Sequence, residues 1–121
     1  GYIGSAMTFD SSTGIFTFPQ TGRYWIQFRA TFYLNADTDY VGNYIDVTTN
    51  NSSYSNSALS YSNTHGGGAY TTGVCSHLFN CANTSTHKVR FGTPTIQNGT
   101  PQLVGGSASN ESEITFIRLG D

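Results

Sequence analysis

GIFTFPQTGRYWIQFRATF (residues 14–32) is the stretch on which the reading of this chain turns. Two runs of alternating residues flank Pro19-Gln20-Thr21-Gly22. Proline lacks a backbone N–H and glycine tolerates positive φ, so this tetrapeptide reverses the chain. Beyond it, Tyr24, Ile26, Phe28, Ala30, Phe32 and Leu34 fall on one side of an extended strand. Arg23, Trp25, Gln27, Arg29, Thr31 and Tyr33 fall on the other. A period of two sustained this long predicts a half-buried strand, with Phe16 and Phe18 on the preceding arm of the turn.

Working outward, further strands are expected at residues 41–48, 54–61, 69–79, 87–93, 102–104 and 113–119. In the first, Val41, Asn43, Ile45 and Val47 share a face; Val89 and Phe91 are expected in the core. The last is apolar on both faces, with Ile114 and Phe116 against Ile117 and Leu119. Such a strand is expected at the centre of a sheet or under a subunit contact. No helical period is sustained anywhere. Short strands divided by Asn/Ser/Gly loops predict an all-β chain of about 8–10 antiparallel strands, with a jelly-roll β-sandwich as the leading architecture.

The 121 residues suffice for a single domain, residues 1–121. Only 10% of residues are charged, against roughly 25% in ordinary soluble domains, so uncharged polar groups must cover the surface. The net charge is −2 and the five basic residues are scattered, which leaves no footprint for nucleic acid. No apolar run reaches the length of a membrane-spanning helix, and no membrane insertion is expected. The first residue is Gly1 rather than Met, so an excised or processed piece of a longer chain is expected. Cys75 and Cys81 are six steps apart, roughly 20 Å if extended. A disulfide needs about 4.4–6.8 Å between Cα atoms, so the two pair only if the chain turns between them.

The opening segment, extended to STGIFTFPQTGRYWIQF, resembles the hallmark stretch of complement C-one-q and tumour necrosis factor-like domains, through Gly14, Phe16, Gly22, Tyr24, Ile26 and Phe28. YTTGVCSHLFN, KVRFGT and SEITFIRLGD resemble later strands of that family, whereas residues 48–70 do not match it. The resemblance implies a ten-strand jelly roll that assembles as a homotrimer and binds partners rather than catalysing a reaction. With both termini expected at the base, loops at residues 19–22, 49–57, 80–86 and 105–112 are expected at the far tip. Those near 35–40, 63–69 and 97–101 are expected at the base.

Enzyme signatures are missing. HGGG at residues 65–68 is similar to an oxyanion loop, but no G-x-S-x-G nucleophile elbow accompanies it. Cys75, His77, Cys81 and His87 are candidate ligands for a transition metal, although their spacing fits no structural zinc pattern. Asp37 and Asp39 are candidates for calcium, which some relatives of the resembled family hold; paired carboxylates in a polar loop are ordinarily solvated. No cofactor is therefore expected. The candidate ligand-binding residues are those of the expected tip loops: Asn50, Asn51, Ser52, Ser53, Tyr54, Asn83, Thr84, Ser85 and Asn110. Tyrosine offers a rigid stacking face, and Asn and Ser adapt their hydrogen bonds.

The expected function is therefore a non-enzymatic trimeric head of a viral, phage or bacterial surface fibre, attaching to a cell-surface receptor, a glycan among the options. Its location would be extracellular, on a virion or cell surface. Two alternatives remain: a structural trimerisation cap or capsid decoration without a ligand, and a monomeric carbohydrate-binding module.

Overall fold

A computed structural model describes residues 3–36, 38–64, 67–94 and 100–121. The side chains of residues 38, 39 and 64 lie outside that description. Nine strands are present among the described residues: β1 (Thr8–Asp10), β2 (Ile15–Thr17), β3 (Gly22–Leu34), β4 (Thr38–Thr48), β5 (Ser55–Thr64), β6 (Ala69–Cys81), β7 (Lys88–Gly92), β8 (Gln102–Leu103) and β9 (Glu113–Gly120). They form two antiparallel sheets, one ordered β1-β2-β7-β4-β5 and the other built on β6-β3, with β8 and β9 both along the free side of β3.

The long alternating run becomes β3, the spine of the second sheet. Its residues from Tyr24 to Leu34 at even positions are all buried, while those between are half-buried. β6 pairs with β3 without a break from Gly22↔Cys81 to Leu34↔Ala69. From the facing sheet, Val41, Ile45, Val47 and Val89 meet this surface. Each fully buried side chain of this size contributes roughly 1.5–3 kcal/mol. Phe16 and Phe91 pack on Phe116 at centroid separations of 5.5 and 5.8 Å, joining β2 and β7 to β9.

Asn43 is the polar member of this core. It is fully buried, and its Nδ2 donates to the Phe28 carbonyl at 2.9 Å. Across the sheets its Oδ1 lies over Gly73, where a Cβ would stand only 2.5 Å away. The turn before β3 also depends on glycine. Gly22 has φ of 139°, and a Cβ there would lie 2.6 Å from the Gly120 carbonyl oxygen.

Three sequence expectations change. β1 falls on residues for which no strand was expected; it is only three residues long and exposed throughout. β9, expected at a sheet centre or under a subunit contact, pairs with β3 alone among the described residues, so within the chain it forms an edge rather than a centre. The loop assignment also shifts at residues 105–112. β8 has two residues, roughly 7 Å of strand, beside a β3 of thirteen, so the chain does not cross the sheet there. β8 and β9 instead lie end to end along β3, both antiparallel to it, and residues 104–112 bulge out between them. The bulge is pinned beside Thr31: its N–H donates to Ser112 Oγ, and Val104 N donates to its carbonyl. β9 then runs toward Gly22, where Arg118 Nε donates to the Thr21 carbonyl at 3.0 Å. The carboxy-terminal end of β9 therefore lies with the 19–22 turn, at the end of the sandwich expected to be the tip, and not at the opposite end, where both termini were expected.

Candidate functional site

At the Gly22 end, loops 49–54 and 82–87 meet. Asn51 adopts φ of 58°, and its N–H donates to the Thr86 carbonyl at 2.9 Å. Asn50 organises the first loop: its Oδ1 accepts from Ser52 N, Ser53 N and Thr48 Oγ1 at 2.8–3.0 Å. Asn83 does the same in the second, accepting from Ser85 N at 2.8 Å through Oδ1 and from His87 N at 2.8 Å through its carbonyl. Lys88 Nζ fastens that loop by donating to the Thr84 carbonyl and to Thr17 Oγ1. Asn50, Asn51, Ser52, Ser53, Asn83, Thr84 and Ser85 are thus brought together, but the Asn50 and Asn83 side chains are engaged in shaping their own loops.

Tyr54 and Asn110 go elsewhere. The Arg90 guanidinium stands 4.2 Å from the Tyr54 ring centroid and donates from Nε and Nη2 to Asp46 Oδ2 at 3.2 and 3.1 Å. Burial raises the Tyr54 hydroxyl pKa above its ordinary value, and Arg90 partly opposes this. One face of this ring is therefore occupied by a cation within the protein. Asn110 lies in the 104–112 bulge, where its carbonyl accepts from Arg29 Nη2, away from the loop pair.

The proposed metal ligands do not converge. Cys75, His77 and Cys81 point inward from β6, and both cysteines are free thiols, so no disulfide links them. β6 stays extended through both, which keeps them far beyond bonding distance. Cys75 Sγ lies 3.5 Å from Asn43 Nδ2, and burial pushes the thiol up to about 11. His77 is also desolvated, which lowers its pKa. The Phe79 ring separates the two histidines, at 6.2 Å from His77 and 5.8 Å from His87. Among the described residues no group of three potential ligands gathers. Asp37, His65 and the Asp39 side chain lie outside the described residues.

Two surfaces that the linear sequence did not single out are assembled by strand register. On the outside of β6-β3-β9, Trp25 has Leu78 directly opposite on one side and Ile117 on the other. Leu78 is 61% exposed and Ile117 46%, giving an uninterrupted apolar row across three strands. Leu119 and Val74 are also exposed on these strands.

On the outside of the other sheet, two neighbouring glycines carry aromatic rings. Tyr44 of β4 lies over Gly92 of β7, where an added Cβ would be 2.5 Å from Tyr44 Cζ. Tyr61 of β5 and Pro94 lean over Gly42 of β4, at 3.1 and 2.9 Å from the position of such an atom. Tyr40 meets Tyr61 edge-on, with centroids 5.2 Å apart and planes at 83°.

No protein-family model matches this sequence, and no curated protein matches it. The architecture defines the class, a two-sheet antiparallel β-sandwich, and the surfaces of the chain carry the argument about its work.

Proposed function

We propose that the chain is the trimeric, non-enzymatic head of a viral, phage or bacterial surface fibre, and that it attaches the fibre to a receptor on a cell. The observation that carries this reading is the Leu78–Trp25–Ile117 row. Apolar side chains aligned across three strands are poorly accommodated by water, and burial against other copies removes them from it. A jelly roll of the complement C-one-q and tumour necrosis factor-like kind is supported by the strand order. Successive strands from β2 to β4 change sheet at each step, β4 and β5 pair as a hairpin, and β6, β7 and β9 alternate again. The resemblance of residues 14–28 to that family favours three copies around one axis, and attachment outside the cell or virion follows from the fibre reading.

The alternative is a trimerisation cap or capsid decoration that binds nothing. One observation favours it: the Asn50 and Asn83 side chains are committed to their own loops. Light scattering on diluted protein, together with binding of the fluorescent protein to a panel of bacterial and animal cells, tests both. A mass three times that of one chain with saturable cell binding is expected. A single-chain mass rejects the trimer, and a trimer that binds no cell leaves the cap.

A further inference from the structure

We propose that the outer face of β4, β5 and β7, at Tyr40, Tyr44 and Tyr61, is a binding platform for a neutral carbohydrate. This proposal rests on the attachment reading for its biological use and names the class of ligand that reading lacks.

The platform begins with two absent side chains. Gly42 and Gly92 occupy outward positions on adjacent strands; the space of a Cβ is taken at Gly92 by the Tyr44 ring and at Gly42 by the Ser60 carbonyl oxygen, Pro94 and the Tyr61 ring. Tyr44 is thereby laid across Gly92, and Tyr61 leans over Gly42 while remaining 58% exposed. Tyr40 stands perpendicular to Tyr61 at 5.2 Å and gives the platform a wall. A ring face with a second ring at right angles makes a corner. The apolar C–H face of a pyranose can stack on one ring while its hydroxyls reach the tyrosine hydroxyls around it.

Charge selects among occupants. Among the described side chains, the charged ones next along these strands are Asp46 and Arg90, and they pair at 3.1 Å beneath Tyr54. Neither is left to attract an ion, so the platform suits an uncharged ligand. Its size argues against a second copy of the domain. Three tyrosine rings and a proline fall well short of the roughly 800 Å² that each partner buries in a stable protein interface. The apolar row proposed for assembly lies on the opposite sheet, so the platform stays open in the trimer.

The test is an array of neutral oligosaccharides probed with the assembled protein, followed by titration of any ligand found against wild type, Tyr61→Ala and Tyr61→Leu. Tyr61→Leu keeps apolar bulk over Gly42 and removes the flat face, so it decides the matter if Tyr61→Ala fails to fold. Loss of a stacked aromatic is expected to weaken binding by roughly tenfold or more in both, with little change in melting temperature. Unchanged affinity in a folded Tyr61 variant overturns the platform, as does binding restricted to acidic glycans. Wild-type protein that adheres to cells but binds no neutral oligosaccharide overturns the platform and leaves attachment standing. Glycan binding without adhesion to cells supports the platform and removes the attachment reading.

Discussion

The two outer faces of this sandwich are built by opposite means. Across β6-β3-β9, Leu78 and Ile117 stand exposed on either side of a half-buried Trp25, each on its own strand. Across β7-β4-β5, the aromatic rings lie down on glycines, and Tyr54 lies against an Arg90 that is already paired with Asp46. The first face is finished only when something covers it. The second has satisfied most of its contacts within the chain and leaves only parts of its rings for another molecule. In the proposals above, the first face serves assembly and the second a small, reversible ligand.

The largest expected effect comes from breaking the first face. In the double variant Leu78→Asp/Ile117→Asp, two carboxylates flank Trp25 on adjacent strands. Burying them against a second copy without partners costs several kcal/mol, enough to abolish assembly. The same sites are exposed in the single chain, where surface changes usually stay within about 0.5 kcal/mol of neutral. Light scattering should fall to the mass of one chain while the melting temperature of the dissociated domain barely moves. An assembly that persists removes this row from the interface.

A smaller effect is expected on the second face, and it should be intrinsic to the fold. Gly92→Ala puts a methyl where Tyr44 lies, and Gly42→Ala puts one against the Ser60 carbonyl oxygen, Pro94 and Tyr61. Overpacking of this kind costs about 1–3 kcal/mol, read as a lower midpoint in urea unfolding with the slope unchanged. The paired outcomes sharpen the contrast: charge on the first face changes mass without stability, and a methyl on the second changes stability without mass. A Gly92→Ala protein as stable as wild type would mean that Tyr44 swings aside freely, which would leave no fixed platform.

How much of this was legible beforehand depends on the range of the signal. β3 could be read because its period of two is written in consecutive residues, and even Asn43 announced its buried face by alternating with Val41, Ile45 and Val47. The faces could not be read, because Trp25, Leu78 and Ile117 are brought into line by register between strands more than fifty residues apart. Gly42 and Gly92 are uninformative singly and meaningful only as neighbours. The place of the 105–112 bulge is illegible in the sequence for a related reason. Residues 102–104 have strand composition, but nothing local records that pairing stops after Leu103, and one untravelled crossing reverses the direction assigned to everything after it. Tyr54 reads in the sequence as an open aromatic face, and Arg90, thirty-six positions away, covers one side of it.

The smallest expected effect lies between the two faces, on the inward side of β6, and it has a sign that can be worked out. Burial disfavours the imidazolium of His77, so its pKa in the folded chain is below the ordinary value near 6.5. Below that value the unfolded chain binds a proton that the folded chain resists, so stability is lost as pH falls from about 6.5 toward the folded value. Cys75 gives the opposite limb. Its thiol is pushed up to about 11, so stability is lost as pH rises from about 9, where the unfolded thiol ionises, toward 11. Melting temperature against pH should therefore form a plateau that declines on both sides. His77→Leu should flatten the acid decline above pH 5, where carboxylates do not yet titrate strongly, and Cys75→Ala should soften the alkaline one. Neither substitution touches an outer face, so assembly mass at neutral pH should stay unchanged in both. A change in mass with either would mean that the inside of β6 is coupled to the row of Leu78 on its outside, and that the two faces are not independent.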